Sequence, residues 1–227
     1  MQYYSLIIII VITNTCSFSQ SNFGSILDSR DGKRYKTVKI DNKWWMAENI
    51  NYETGTSWCY DNNPRNCEIY GRLYDWNTAK DVCPPGWRLP SNREWCDLVK
   101  CNYYEYLHHN CKCPKGSRGR HPCYEGKKLK SKSGWYTYRD GSLFYNYNGS
   151  DEYGFNALPG GVLISPKRYW IDEEEFKWLG KRAYFWTSDI GSSNGYRWSY
   201  IIKLKCPSVE ASASKDNYGI SVRCLKD

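Results

Sequence analysis

Eleven cysteines in 227 residues constrain this chain more than any other feature of it. Thiols at that density are rare in a reducing cytosol and usual in exported proteins, so the count reads as a set of cross-links. The amino end agrees. Leu6–Ile12 is an apolar run of seven residues, too short for the roughly 20 of a spanning helix. It leads into the small-x-small pattern Ser17-Phe18-Ser19, so residues 1–19 read as a secretory signal peptide cleaved after Ser19. Cleavage removes Cys16 and leaves an even number of cysteines, as full pairing requires. The expected location is therefore secreted or extracellular. The alternative is an outer-membrane lipoprotein anchored through Cys16, but polar Thr13-Asn14-Thr15 stands where a lipobox places aliphatic and small residues.

The charge is concentrated. The chain carries 32 basic and 24 acidic residues, and Lys112–Arg139 alone holds nine Lys or Arg against one acid, Glu125. The remainder balances. Such a stretch could steer an anionic polysaccharide, although Pro114-Lys115-Gly116-Ser117-Arg118-Gly119-Arg120 has the composition of a solvated loop. Nucleic acid is not expected, because no binding motif accompanies the charge.

Patterning sets the organisation. Val38 and Ile40 alternate with Lys39, turn residues follow at Asp41-Asn42-Lys43, and Trp44-Trp45-Met46-Ala47 returns, which predicts a hairpin within Arg34–Ile50. Leu73, Trp76 and Ala79 recur every three residues and predict a short helix ending before Pro84-Pro85. A second helix starts at the capping box Ser91–Glu94 and turns Trp95, Leu98 and Val99 inward. Residues 101–132 lack periodicity and read as a basic, cysteine-rich insertion. Further on, Tyr196, Trp198, Tyr200, Ile202 and Leu204 alternate with mostly polar residues, as do Tyr218, Ile220, Val222 and Cys224. Period two predicts half-buried strands, with Cys224 on the same face as Ile220 and Val222.

These segments resemble the Fibrobacter succinogenes major paralogous domain family. The resemblance runs through Asp31-Gly32-Lys33, Trp45-Met46-Ala47-Glu48-Asn49-Ile50, Cys59-Tyr60-Asp61-Asn62 and Cys83-Pro84-Pro85-Gly86-Trp87-Arg88-Leu89-Pro90. It resumes at Asp151-Glu152-Tyr153-Gly154-Phe155 and Leu158-Pro159-Gly160-Gly161, and closes at Phe185-Trp186-Thr187-Ser188 and Ser221-Val222-Arg223-Cys224. It implies one α+β domain over 28–227 of the C-type-lectin-like class, with two short helices, twisted antiparallel sheets and the Cys-rich insertion. It also implies a long-range bridge between Cys83 and Cys224. Cys59 and Cys67, with Asn63-Pro64 turning between them, look like a local bridge. Cys96, Cys101, Cys111, Cys113, Cys123 and Cys206 depart from the family pattern and allow 15 pairings.

No chemistry stands out. His108, His109, Cys111, Cys113, His121 and Cys123 could enclose zinc, but Cys-x-Cys is not the usual zinc spacing and oxidation competes for the thiols. Calcium lectins carry Glu-Pro-Asn, Gln-Pro-Asp or Trp-Asn-Asp, none of which occurs, and Asp172–Glu175 reads as a solvated acidic loop. No cofactor is expected. All three histidines lie in the insertion, so the domain proper lacks a base for nucleophilic catalysis. Glu94, Asp97, Asp151 and Asp189 are candidate acids without a pairing that marks a glycosidase. The expectation is a binding module and not an enzyme, recognising a glycan or a surface protein without calcium.

The ligand face of a lectin-like fold is built by late strands, which here hold Tyr169, Trp170, Trp178, Trp186, Tyr196, Trp198 and Tyr200, with Asp189–Gly195 as a polar loop. Tyr169, Trp170 and Asn194 are the expected exposed contacts. The rival expectation is a structural or adhesive cell-surface protein holding an anionic matrix through Lys112–Arg139.

Overall fold

Asp41 and Asn42 both take positive φ, 46° and 67°, which closes a two-residue loop whose twist matches its flanking strands. That loop joins β2 (Arg34–Ile40) to β3 (Lys43–Met46), with Ile40 opposite Lys43. The hairpin predicted from the sequence is therefore formed. The computed structural model describes residues 21–100, 125–165, 175–191 and 193–227. Within them lie two large sheets, two strand pairs and a few short helices, a mixed α+β architecture.

The first large sheet has the order β1 (Phe23–Leu27), β2, β3, β15 (Leu225–Lys226), β6 (Trp87–Arg88). The second runs β13 (Val209–Lys215), β12 (Tyr196–Lys203), β11 (Arg182–Ile190), β14 (Ile220–Ser221), β5 (Leu73–Tyr74), β4 (Ser57–Trp58). Pairing is antiparallel except between β11 and β14. The strand pairs are β7 (Thr137–Asp140) with β8 (Leu143–Asn146), and β9 (Val162–Ser165) with β10 (Glu175–Lys177).

Among the described residues four short α-helices fill the connections, against the two expected. In α1 (Pro64–Tyr70), Asn63 caps by accepting from the Arg65 N–H, and Pro64 occupies the first turn. In α2 (Trp76–Ala79), Asp75 caps by accepting from Thr78. That cap corrects the sequence reading: the chain before Asp75 cannot be helical, and Leu73 pairs as a strand residue with Trp58 and Ser221. In α3 (Asn92–Leu98) the predicted capping box is complete, and Trp95, Leu98 and Val99 are buried as expected. The fourth, α4 (Gly126–Leu129), belongs to the segment read as an insertion. Its Leu129 is fully buried, so residues 125–132 pack into the core.

A second correction concerns β12 and residues 218–224, which the alternation marked as half-buried. Tyr200 and Ile202 enter one core cluster while Ile201 enters another on the opposite face, and Ser199 is buried as well. Ile220, Val222 and Cys224 share a cluster as predicted, yet Ser221 and Arg223 are buried too. The reason is layering: one core cluster takes Tyr200 and Ile202 from one side of the sheet, and another takes Ile201 and Ile220.

Trp95 anchors the larger cluster. Its ring lies 5.3 Å from Trp45, 5.7 Å from Phe155, 5.1 Å from Phe185 and 5.2 Å from Tyr200, centroid to centroid. Edge-to-face and offset stacking at such spacing adds to the area those rings bury. Two disulfides with both partners among the described residues complete the frame. Cys59 is bonded to Cys67 and Cys83 to Cys224, with Cα separations of 5.0 and 5.9 Å. Both bridges match the sequence reading. Cys206 is disulfide-bonded and Cys96 is buried, while Cys16, Cys101, Cys111, Cys113 and Cys123 lie outside the described residues.

Candidate functional site

Between Tyr136 and Tyr147 an aromatic residue recurs at almost every second position, interrupted by Asp140-Gly141-Ser142. Gly141 takes φ 55° at the first loop position, where glycine meets no Cβ penalty, and β7 turns into β8. Tyr138 then stands opposite Tyr145, and Asp140 opposite Leu143. Side chains alternate along a strand, so these four share one face, which Tyr147 extends. Arg139 and Phe144 take the other. The Tyr138 and Tyr145 rings stack at 5.0 Å and 13°, and Tyr145 and Tyr147 at 6.3 Å and 11°. Leu143 and Phe144 remain 60% and 62% exposed.

Among the described residues no other strand pairs with this hairpin, and an isolated two-stranded ribbon is marginal in water. Its root holds it. Trp135 is buried and donates its indole N–H to the Ala157 carbonyl, and its backbone N–H to Asn148 Oδ1. Tyr136 donates its backbone N–H to the Gly180 carbonyl. Beside that root, Lys181 Nζ lies 5.5 Å from the Tyr136 ring and Lys205 Nζ 5.9 Å from the Tyr147 ring. The two lysines are neighbours because the Leu204 N–H donates to the Lys181 carbonyl.

The late-strand face nominated by the sequence is largely taken up by packing. Trp186 and Tyr200 are buried, and each bonds inward: Trp186 Nε1–H to the Tyr74 carbonyl, the Tyr200 hydroxyl to the Asn92 carbonyl. Trp178 stacks on Tyr184 under the Arg182 guanidinium. Tyr196 and Trp198 are half-buried. Asn194 is exposed in the turn between β11 and β12, where Ile190 is also exposed. Tyr169 and Trp170 lie outside the described residues, as do His108, His109 and His121.

Each carboxylate singled out as a candidate acid has a local role. Glu94 is opposed by its own burial, yet bonds from Arg88 and Ser91 hold its carboxyl down at about 2. Asp97 pairs with Lys43 and Arg93. Asp151 accepts from the Asn156 N–H, and burial raises its carboxyl above the usual range. Asp189 accepts from the Asn92 N–H at the start of α3. No group of three or more metal-ligating side chains converges among the described residues.

Two buried cations escaped the sequence reading. Lys130 donates to the Leu204 and Cys206 carbonyls and lies 4.6 Å from the Trp135 ring, and burial lowers its ammonium to about 8. One charge of the basic stretch is therefore internal. Arg223 is fully buried over the Phe155 ring and donates to Asn49 Oδ1 and to the Met46, Phe155 and Asn156 carbonyls. Burial brings its guanidinium down to about 9. The signal for Arg223 was an arginine between Val222 and Cys224, both inward.

Among the described residues, a cavity of about 250 Å³ is lined by Ile40, Lys43, Trp45, Glu94 and Leu98. A cleft of about 220 Å³ opens between Lys33, Glu48, Glu68, Tyr70 and Leu158, below the roughly 300 Å³ at which small-molecule pockets begin. The tyrosine hairpin is the more distinctive surface. Its signal was the Gly-Ser loop between aromatic alternations.

Interior strands, a closing disulfide and a projecting aromatic ribbon make this a mixed α+β domain. Residues 38–226 match the Fibrobacter succinogenes major domain, and the chain belongs to that family. No curated protein and no solved structure matches it. Among the described residues, no helix is long and apolar enough to cross a membrane.

Proposed function

We propose that this chain is an exported binding module with a C-type-lectin-like domain, which takes a glycan on the β7–β8 hairpin without calcium. The observation that carries the reading is the row Tyr138, Tyr145, Tyr147 on a ribbon whose tip leaves Leu143 and Phe144 in water. Isolated exposed apolar residues are ordinary, but a contiguous set on a projecting element marks an interaction surface. Rings with a polar edge suit a ligand that is apolar on its sugar faces and polar at its hydroxyls.

The lectin-like reading is supported by the Cys83–Cys224 bridge and by β15, which brings the carboxyl end between β3 and β6. Export is supported by the disulfides and by the signal-like pattern of residues 1–19. Catalysis is disfavoured by the local roles of Glu94, Asp97, Asp151 and Asp189. The adhesive alternative, attachment through Lys112–Arg139, is weakened by the burial of Lys130.

The test is a glycan array probed with the purified chain in EDTA, beside the Y138A/Y145A double variant on the face of the stacked row. Retention by wild type and loss by the variant supports the reading. Binding that calcium restores, or that the variant keeps, overturns it. Capture by a surface protein with no glycan bound would redirect the same hairpin to a protein partner.

A further inference from the structure

The hairpin row does not stand alone. Inside the stack the ring faces cover one another, so along its length the row presents ring edges and hydroxyls. Toward its root the character changes. Lys181 and Lys205 are both exposed, sit beside Tyr136 and Tyr147, and have no carboxylate partner among the described residues. The acids nearby are engaged: Glu210 pairs with Lys203, and Asp140, at the tip, accepts from the Tyr138 hydroxyl at 3.2 Å. Contacts link the set in one line, from Tyr138 through Tyr145 and Tyr147 to Lys205, then across the Leu204–Lys181 backbone bond to Lys181 and Tyr136.

From this juxtaposition we propose that the hairpin root is a subsite for an acidic polysaccharide, with Lys181 and Lys205 pairing its anionic groups while Tyr138, Tyr145 and Tyr147 contact the sugar rings. The inference rests on the glycan-binding reading above and narrows it. A neutral glycan would leave the two exposed ammonium groups at the root without a counter-charge, whereas a polymer carrying an anion on each sugar can supply one to both. A lysine ammonium is a compact charge and accepts carboxylate or sulfate. The shared chemistry is therefore a sugar-borne anion.

The full chain is titrated by calorimetry at low salt with polygalacturonate (carboxylated), a sulfated galactan, and neutral galactan. At least one acidic polymer should bind about tenfold or more tightly than the neutral one, and K181Q/K205Q should lose about tenfold toward it. R139Q removes a charge from the opposite face of the same ribbon and should keep wild-type affinity. Which acidic polymer responds decides between carboxylate and sulfate. Equal affinity for neutral galactan, untouched by K181Q/K205Q, overturns the acidic subsite and leaves the glycan reading intact. An R139Q loss equal to that of K181Q/K205Q also overturns it, since net charge alone would then explain binding. No affinity for any of the polymers sinks both. Circular dichroism of each variant confirms that the fold is retained.

Discussion

Two clusters of aromatic rings at comparable spacing do opposite things in this protein. Around Trp95, the rings of Trp45, Phe155, Phe185 and Tyr200 approach to between 5.1 and 5.7 Å, and none of the five is more than 2% exposed. On the hairpin, Tyr138, Tyr145 and Tyr147 stack at 5.0 and 6.3 Å, yet Tyr138 is 37% exposed and its neighbour Leu143 is 60% exposed. The difference lies in what surrounds the rings. In the core, α3, β3, β11 and β12 all contribute, so each ring contact ties distant segments together. On the hairpin the contacts join only β7 to β8. Ring contacts stabilise whatever elements they connect, and a connection between two adjacent strands holds little beyond itself.

Four experiments would break or sharpen that contrast. The largest effect should come from the frame around the core. Replacing Cys83 and Cys224 by serine opens a loop of 141 residues, worth about 5 kcal/mol on chain entropy. Urea unfolding of the non-reduced variant should show a midpoint shift of that order, and an unchanged midpoint would mean the core alone sets stability. Next, Trp95→Ala should cost about 3–5 kcal/mol, as for other large buried rings, read by the same melt. A loss below about 1 kcal/mol would deny that Trp95 organises the core.

Third, the capping box should make α3 sensitive to acid. The Glu94 carboxyl is held at about 2 in the folded chain against an ordinary 4.5, so the folded state favours its ionised form. That contribution is complete above about 4.5 and is lost as pH falls through the folded value. Thermal melts between pH 5 and pH 2 should show wild type losing more than Glu94→Gln over this window, while parallel curves would refute the assignment. The Ser91→Ala variant should cost about 1 kcal/mol near neutrality. Smallest of all, Tyr138→Ala and Phe144→Ala should change global stability by less than about 0.5 kcal/mol. A larger loss would mean the hairpin supports the fold instead of presenting a surface.

The sequence was most legible where one local rule acted alone. Asp41-Asn42 could be read as a turn because both residues tolerate positive φ, and Ser91–Glu94 as a helix start because the cap is complete within four residues. Leu73 misled because three-residue spacing is shared by a helix and by a strand followed at once by an Asp75 cap. Burial on both faces of β12 could not be read from its alternation, since Ser199 looks like a solvent residue until its hydroxyl is seen against Ser214 at 2.9 Å. The aromatic ribbon was passed over for a related reason. Composition shows rings without showing whether a second layer covers them, and on β7–β8 Tyr138, Leu143 and Phe144 stay exposed. Of the contacts nominated in advance, Asn194 is exposed as expected, but most of the late-strand rings serve as packing.

The placement of residues 220–226 has a consequence in time. β14 sits between β11 and β5, and β15 between β3 and β6, so both large sheets stay open until this stretch arrives. Trp45 can meet its partner Leu225 only after the 179 intervening positions have been made. Contacts so distant along the chain form slowly, because a long loop must close first. A chain that emerges amino end first thus keeps both large sheets pliable until residues 220–226 are free to insert.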